Sequence, residues 1–297
     1  MAQKKFGSLD STGRKLEVID TYLKMYQKAL SRTPFKTVYV DAFAGSGEIP
    51  LGESEGGLLE DDDEARTVLA GSADRAVNID PPFDHYLFID KRKKCIDALR
   101  QRFEGHSAGP RIKFETGDAN ERVQEFCKRG EWRGWRGVVL LDPFGNQVAW
   151  ETVVSIATTR ALDLWYLFPA GQGVFRQIGS DGRVDQNQSR SMTKLFGTDE
   201  WQTAFLKPST QADLFGDSPS REKVVTAESA AEFMKQRMRD VFRGGVLDEM
   251  IPLGKHSYPS YYLIFAWGND SPKARELAEK LSKAAIKATD RKHGRLI

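Results

Sequence analysis

Short apolar runs alternate with segments of helical periodicity along the first 170 residues, and this alternation restricts the fold more than any other feature. The runs are rich in β-branched and aromatic residues, which favours buried strands. Five strands are predicted, at residues 38–41, 86–90, 112–116, 138–141 and 161–168. Strands that alternate with helices form a parallel sheet covered on both faces. The chain is therefore predicted to be an α/β protein with a doubly wound, Rossmann-like sheet.

The helical segments show apolar residues at spacings of three and four. Helices are predicted over residues 14–30, 65–77, 91–103, 120–129, 150–159, 227–242 and 272–288.

The remaining segments complete the predicted domain. Residues 247–253 and 261–267 are predicted to pair as an antiparallel edge of the sheet. Residues 171–221 are polar and irregular, and the segment 170–225 is predicted to be an insertion or lid within a single domain, 1–297. The acidic run 60–64 is typical of a solvated, mobile loop.

Composition excludes several classes. The 297 residues are 40% apolar and 29% charged, with a formal net charge of +2, which is too small to indicate nucleic-acid binding by itself. Cys95 and Cys127 are isolated, so neither a disulfide framework nor a zinc site is expected, and a reducing cytoplasm is the simplest setting. No apolar run reaches the length of a membrane span, and no membrane association is expected.

A glycine turn follows the first strand directly. The sequence Asp41-Ala42-Phe43-Ala44-Gly45-Ser46-Gly47 places an acid at the end of the strand and two glycines just after it. Glycine lets the backbone approach a ligand closely, and ligands of open α/β sheets bind at the carboxyl ends of the strands. A plain strand followed by a turn is the simpler interpretation of a lone Gly-x-Gly. The acids that end later strands favour a cofactor site that includes Asp41, Phe43, Ala44, Gly45 and Gly47.

Three acids end three successive strands after the glycine turn. They are Asp90, Asp118 and Asp142. These acids suit an adenosine that carries a charged amino-acid tail: Asp90 can accept both ribose hydroxyls, and Asp118 can accept the adenine amino group, with Ala119 and Asn120 offering backbone donors. Asp142 would then face the reactive methyl group. Any one of the acids alone is equally well a helix cap or a turn residue.

Other nucleotide sites fit less well. A dinucleotide motif needs a third glycine where this chain has Pro50, and no Gly-Lys-Ser/Thr sequence indicates a P-loop. The acids Asp61–Asp63 lie at a suitable spacing for a ribose contact, but they belong to a polar run and do not end a strand.

These residues carry a resemblance. The turn at 41–47, with Asp90, Asp118 and Asp142 after it, resembles the motifs of S-adenosylmethionine-dependent methyltransferases. More narrowly, the chain resembles the three-Cys-motif partner protein family (TcmP). The segments that carry this narrower resemblance are 14–23, 39–47, 82–90, 141–145 and 261–266.

The resemblance implies a seven-stranded methyltransferase-like fold that binds S-adenosylmethionine. It also implies a partner protein encoded nearby, whose three cysteines suggest an iron–sulfur or radical-type enzyme. The family says little about the methyl acceptor.

The sequence Asp142-Pro143-Phe144-Gly145 bears on the chemistry. Methyltransferases that act on the amino groups of adenine or cytosine carry an acid, Asn or Ser, then two prolines and an aromatic residue that stacks on the base. This chain keeps Asp142 and Pro143, has Phe144 at the third place, and lacks the fourth aromatic. We therefore expect Asp142, Pro143 and Phe144 to be the catalytic residues for an amine acceptor, in a nucleic acid base or in the partner protein. A non-catalytic cofactor-binding module and a nucleic-acid-modifying enzyme stay open as alternatives.

Overall fold

A computed structural model describes residues 7–50, 68–208, 221–255 and 258–293. The strands are β1 (Lys36–Asp41), β2 (Glu48–Pro50), β3 (Val68–Ala70), β4 (His85–Asp90), β5 (Ile112–Thr116), β6 (Trp135–Leu141), β7 (Leu162–Phe168), β8 (Leu206–Pro208), β9 (Arg221–Lys223), β10 (Gly245–Val246), β11 (Ile251–Lys255) and β12 (Tyr258–Trp267). The helices are α1 (Gly7–Leu30), α2 (Ser72–Val77), α3 (Lys93–Arg102), α4 (Ala119–Arg129), α5 (Trp150–Thr158), α6 (Gln186–Phe196), α7 (Trp201–Phe205), α8 (Ala227–Val241) and α9 (Pro272–Lys292).

The central sheet has the order β10-β12-β7-β6-β1-β4-β5, and β11 also pairs with β12. Strands β7, β6, β1, β4 and β5 run parallel, whereas β12 runs antiparallel to β7 and to both of its outer neighbours. The prediction of a doubly wound, mostly parallel Rossmann-like sheet with an antiparallel edge pair is confirmed, although the sheet has eight strands where the resemblance implied seven. The outer edge position is shared by two short strands, β10 and β11.

Alternation along the strands divides the core into two layers. Val38 and Val40 of β1 point to the layer that includes α4, α5 and α8. Tyr39 points to the opposite layer, which includes α1, α2, α3 and α9. Successive side chains of a strand face opposite sides, so a sheet buried on both faces needs apolar residues at nearly every position. This requirement explains the continuous apolar run 138–141.

The segment before α2 differs from the prediction. Residues 68–70 form β3, paired antiparallel with β2, and α2 begins only at Ser72, so the helix predicted over 65–77 is too long. Position 68 of the sequence is a valine, a β-branched residue type that favours strands over helices. The acidic run 60–64 lies outside the described residues.

The segment after β7 is more regular than predicted. It contains α6 and α7, and β8 pairs with β9. A capping box between Asp185 and Gln188 begins α6, and Gly197, with a φ of 66°, ends it. Phe196, Trp201 and Phe205 are buried in the core, so these helices are packed against the sheet domain. A role of the segment as an insertion or lid stays a prediction.

In the described part of the chain, none of the helices combines the length and apolar character that a membrane span requires.

Candidate functional site

The predicted site residues lie at the point where the strand order reverses. From β1 the chain proceeds to β4 and β5 on one side, and then to β6 and β7 on the other. The carboxyl ends of β1 and β6 therefore border the crevice in which open α/β sheets bind their ligands. Asp41 ends β1, Asp90 ends β4, and Asp142 follows β6. The structure thus brings these three acids to one edge of the sheet.

The glycine turn is hydrogen-bonded to the two strands that flank β1 at this edge. The N–H of Ala42 donates to the carbonyl of Leu140 at 3.1 Å, and the N–H of Ala44 donates to the carbonyl of Ile89 at 2.9 Å. These bonds tie the turn to β6 on one side and to β4 on the other. Phe43 is half-buried and packs against the α4 side of the core.

The two glycines of the turn have different tasks. Both have a positive φ, 61° at Gly45 and 83° at Gly47, which disfavours other residues. A Cβ at Gly45 would meet open space, whereas a Cβ at Gly47 would lie 2.8 Å from a side-chain carbon of Leu99. Gly47 is therefore needed for packing against α3. Gly45 leaves room at the surface of the turn, where a ligand can approach the backbone.

Asp90 holds the glycine turn. Its buried carboxylate accepts the N–H of Gly45 at 3.0 Å and the N–H of Arg92 at 2.8 Å. The guanidinium of Arg92 lies 3.2 Å from the same carboxylate, but this side chain is more than half exposed. A ribose contact at Asp90 thus requires the Arg92 side chain to move away, and its exposure allows that.

Asp118 is the N-cap of α4. Its Oδ1 atom accepts the backbone N–H of Asn120 at 2.9 Å and that of Glu121 at 3.4 Å. The expectation that the Asn120 N–H is available to a ligand is therefore wrong, because Asp118 already accepts it. The first N–H of a helix has no partner within the helix, so Ala119 keeps a donor at this end.

Asp41 is completely buried, unlike a residue that lies open to a ligand. Its Oδ1 atom accepts the N–H of Phe43 at 3.2 Å, and its Oδ2 atom has no hydrogen bond of ordinary geometry. Burial, together with the nearby charge of Asp142, raises the pKa of Asp41 to about 6, although hydrogen bonds from Ser72 and Phe43 act in the opposite direction. Asp41 shapes the start of the turn in this structure, and its direct contact with a cofactor stays a prediction.

Asp142 forms an ion pair with Lys15 of α1, a residue that the sequence analysis did not single out. The Nζ atom of Lys15 donates to Oδ2 of Asp142. The side chains are only 11% and 23% exposed, respectively. Oδ1 of Asp142 has no hydrogen bond to a described residue, so it can accept a hydrogen bond from a bound molecule. The carboxylate is thus fixed through one oxygen and available through the other.

A signal for Lys15 was present in the sequence. It lies four residues before Ile19 and seven before Tyr22, on the apolar stripe of α1. A lysine on a buried stripe needs a charged or polar partner, because an unpaired buried charge is costly. The sequence does not name that partner, which is 127 residues away.

The turn after Asp142 presents an aromatic ring to solvent. Phe144 is 79% exposed and is the one large apolar side chain of the described residues that is exposed. Its N–H donates to the side-chain oxygen of Gln147 at 2.9 Å, and the backbone carbonyl of Gln147 accepts from Asn120 at the same distance. Pro143 is buried beside it. Phe144 is therefore exposed, close to Asp142, on a turn that the two hydrogen bonds of Gln147 hold in place.

A cavity of about 420 Å³ lies away from this edge. It is bounded by β5, α4 and the indoles of Trp132 and Trp135, and none of the predicted site residues lines it. The candidate site is defined by the sheet topology and by the acids at its edge, and not by this cavity.

Comparisons with known proteins give distant structural likenesses. No protein-family model and no curated protein matches the sequence. A Legionella pneumophila protein of the family model DUF519 is 11% identical, with a TM-score of 0.49 over 94% of this chain and 93% of that one. An S-adenosylmethionine-dependent methyltransferase from Clostridium acetobutylicum is 7% identical, with a TM-score of 0.39 over 84% and 92%. A Synechocystis magnesium protoporphyrin IX methyltransferase with bound SAH is 11% identical, with a TM-score of 0.36 over 90% of each chain. The fold assignment rests on the strand order of the sheet, since these likenesses are too distant to carry it.

Proposed function

We propose that this protein is an S-adenosylmethionine-dependent methyltransferase that acts on an amine. The proposal depends on one observation: four features lie together at the edge of the sheet where the strand order reverses, between β1 and β6. They are the glycine turn, the buried Asp90, the carboxylate of Asp142 with one oxygen unpaired, and the exposed ring of Phe144. A site for the cofactor and a site for an acceptor would then be adjacent.

The residues at this edge fit the cofactor. Asp90 would accept the ribose hydroxyls, and the free oxygen of Asp118 would accept the adenine amino group. The open space at Gly45 suits the amino-acid tail, while Gly47, Phe43 and Ala44 hold the shape of the turn. When bound, S-adenosylmethionine supplies an electrophilic methyl group.

Asp142 would orient the attacking amine through its Oδ1 atom and accept its proton. Methyl transfer is a displacement, in which holding nucleophile and methyl group in line supplies much of the rate enhancement. Phe144 would stack on a planar acceptor, with Pro143 fixing the turn. The proposal allows either a nucleic acid base or a partner protein as the acceptor of the methyl group.

The partner is proposed on the resemblance to the three-Cys-motif partner family alone. We propose that a protein with a three-cysteine motif, encoded nearby, works with this chain. Residues 209–220 and 294–297 lie outside the described residues, so a continuous nucleic-acid surface that includes them stays a prediction.

One observation favours a second function. Lys15 already occupies one oxygen of Asp142, as expected if the carboxylate only maintains structure. In that case the chain would bind S-adenosylmethionine without turnover and regulate its partner.

Transfer of a labelled methyl group distinguishes the two functions. The protein is incubated with methyl-labelled S-adenosylmethionine and with DNA, RNA or the neighbouring gene product. We expect wild type to label one of them, and Asp142→Ala to abolish labelling while cofactor affinity stays within about threefold, because the ribose and adenine contacts lie elsewhere. Asp97→Ala, which removes an exposed ion pair with Lys93, is the matched control and should label normally.

If Asp142→Ala labels as fast as wild type, the proposed catalytic site is wrong. If wild type binds the cofactor and labels nothing, including itself, the binding module replaces the enzyme.

A further inference from the structure

An amine of the protein itself lies at the proposed acceptor site. Lys15 Nζ is hydrogen-bonded to the carboxylate that would orient an acceptor amine. It also lies close enough to Asp41 for its charge to act on that carboxyl group. Asp41 ends β1, and the glycine turn begins at the next residue. Lys15 Nζ therefore lies near the carboxyl ends of both β6 and β1.

The helix that carries Lys15 is held firmly. Arg14 forms an ion pair of 2.6 Å with Asp290 of α9 and also donates to the carbonyl of Pro252 in β11. About two turns further along, Tyr22 donates to Asp163 of β7 at 2.9 Å. These contacts fix the position and rotation of α1. The Lys15 amine is thus held in place at the site, unlike the amine of a surface lysine, which samples many conformers.

Burial restricts how Lys15 could be modified. The Lys15 side chain is only 11% exposed, so it cannot enter the active site of another molecule unless α1 leaves the domain.

We propose that this protein methylates its own Lys15 in an intramolecular reaction. The inference rests on the proposed function and names the acceptor. The Lys15 ammonium first passes a proton to Asp142, which already accepts its hydrogen bond. The nitrogen lone pair then forms the N–C bond, the S–C bond breaks, and its electron pair stays on sulfur. The proton leaves Asp142 for water.

The reaction has a consequence for the site. A methylated lysine keeps its charge but loses a hydrogen-bond donor with each methyl group. A trimethylated Lys15 would have none for Asp142, and the carboxylate would be released. Self-methylation would therefore change the state of the carboxylate on which an external acceptor depends.

The test is mass spectrometry of the full-length protein after incubation with S-adenosylmethionine that carries a trideuterated methyl group. Digestion should locate the label on Lys15. The matched control is Lys24, which lies on the exposed side of the same helix and pairs with Asp20 at 2.7 Å. We expect Lys15 to be labelled at least about tenfold more than Lys24, because only Lys15 has the carboxylate of the site as its proton acceptor.

Kinetics and variants complete the test. An intramolecular reaction gives a rate constant that does not change when the protein is diluted. Asp142→Asn should lower that rate about a hundredfold, since it removes the proton acceptor. Lys15→Arg keeps the ion pair, should lose the label at this position and should bind S-adenosylmethionine as wild type does.

The outcomes separate this inference from the proposed function. Binding of the cofactor without label on Lys15, or equal label on Lys15 and Lys24, overturns the inference and leaves methylation of an external acceptor standing. A rate that rises in proportion to protein concentration overturns the intramolecular reaction. Absence of cofactor binding by the folded protein overturns the inference and the proposed function together.

Discussion

Replacing Asp163 with Asn should remove a strong pH dependence of stability. Asp163 is buried in β7, where it accepts the hydroxyl of Tyr22 at 2.9 Å and the N–H of Gly268 at 3.3 Å. Burial raises the pKa of this carboxyl group to about 7, although both hydrogen bonds act in the opposite direction. The residue matters for the site because the Tyr22 contact helps to fix α1, which carries Lys15.

The direction of the effect follows from the two pKa values. In the unfolded chain Asp163 should titrate near its ordinary value of 3.8, and in the folded protein near about 7. Between these values the folded state binds a proton that the unfolded state has released. The stabilisation is therefore complete below about pH 4 and is lost as the pH rises through about 7. The difference corresponds to on the order of 4 kcal/mol, since each pKa unit is about 1.4 kcal/mol.

Urea denaturation between about pH 4 and about pH 7 measures this difference. Asp163→Asn keeps an oxygen that can accept from Tyr22 but does not titrate. Its free energy of unfolding should fall less across this range than that of wild type, by on the order of 4 kcal/mol. Asp97→Asn, on the exposed face of α3, should parallel wild type. Curves for Asp163→Asn and wild type that differ by less than about 1 kcal/mol across the range would refute the assignment.

Two further predictions concern the glycine turn and the acceptor site. Gly47→Ala should lower the free energy of unfolding by at least about 1 kcal/mol more than Gly45→Ala, because its Cβ would meet Leu99 while that of Gly45 would meet open space. Urea denaturation measures both, and equal losses would contradict the packing role of Gly47. Phe144→Ala should change the free energy of unfolding by less than about 0.5 kcal/mol but raise the KM for a planar acceptor about tenfold, since stacking contributes about 1–3 kcal/mol. An unchanged KM would exclude stacking on Phe144.

The sheet was predictable because its evidence is local. Each strand is a run of β-branched and aromatic residues, and parallel strands place their carboxyl ends at one edge. Knowing only that Asp41, Asp90 and Asp142 end their strands was enough to predict that they meet. The confirmed fold thus follows from residues that are close together in sequence.

The contacts that decide the chemistry were not predictable in this way. The Lys15–Asp142 pair depends on the rotation of α1 about its axis, which is set by packing against β11, α9 and β7. The roles of Asp41 and Asp118 depend on burial and on which backbone N–H groups lie within reach. The apolar residues of α6 are confined to its second half, so its periodicity is short, although the Asp185–Gln188 capping box was visible in the sequence.

Calorimetric titration with S-adenosylmethionine tests the central claim most directly. We expect wild type to bind, and Asp90→Ala to weaken binding about ten- to a hundredfold, because losing hydrogen bonds to a charged group costs about 1.5–3 kcal/mol. Asp97→Ala should bind as wild type does. Heat of binding that is the same for Asp90→Ala and wild type would contradict the ribose contact. Absence of binding by folded wild-type protein, with either S-adenosylmethionine or its demethylated product, would contradict the cofactor site itself.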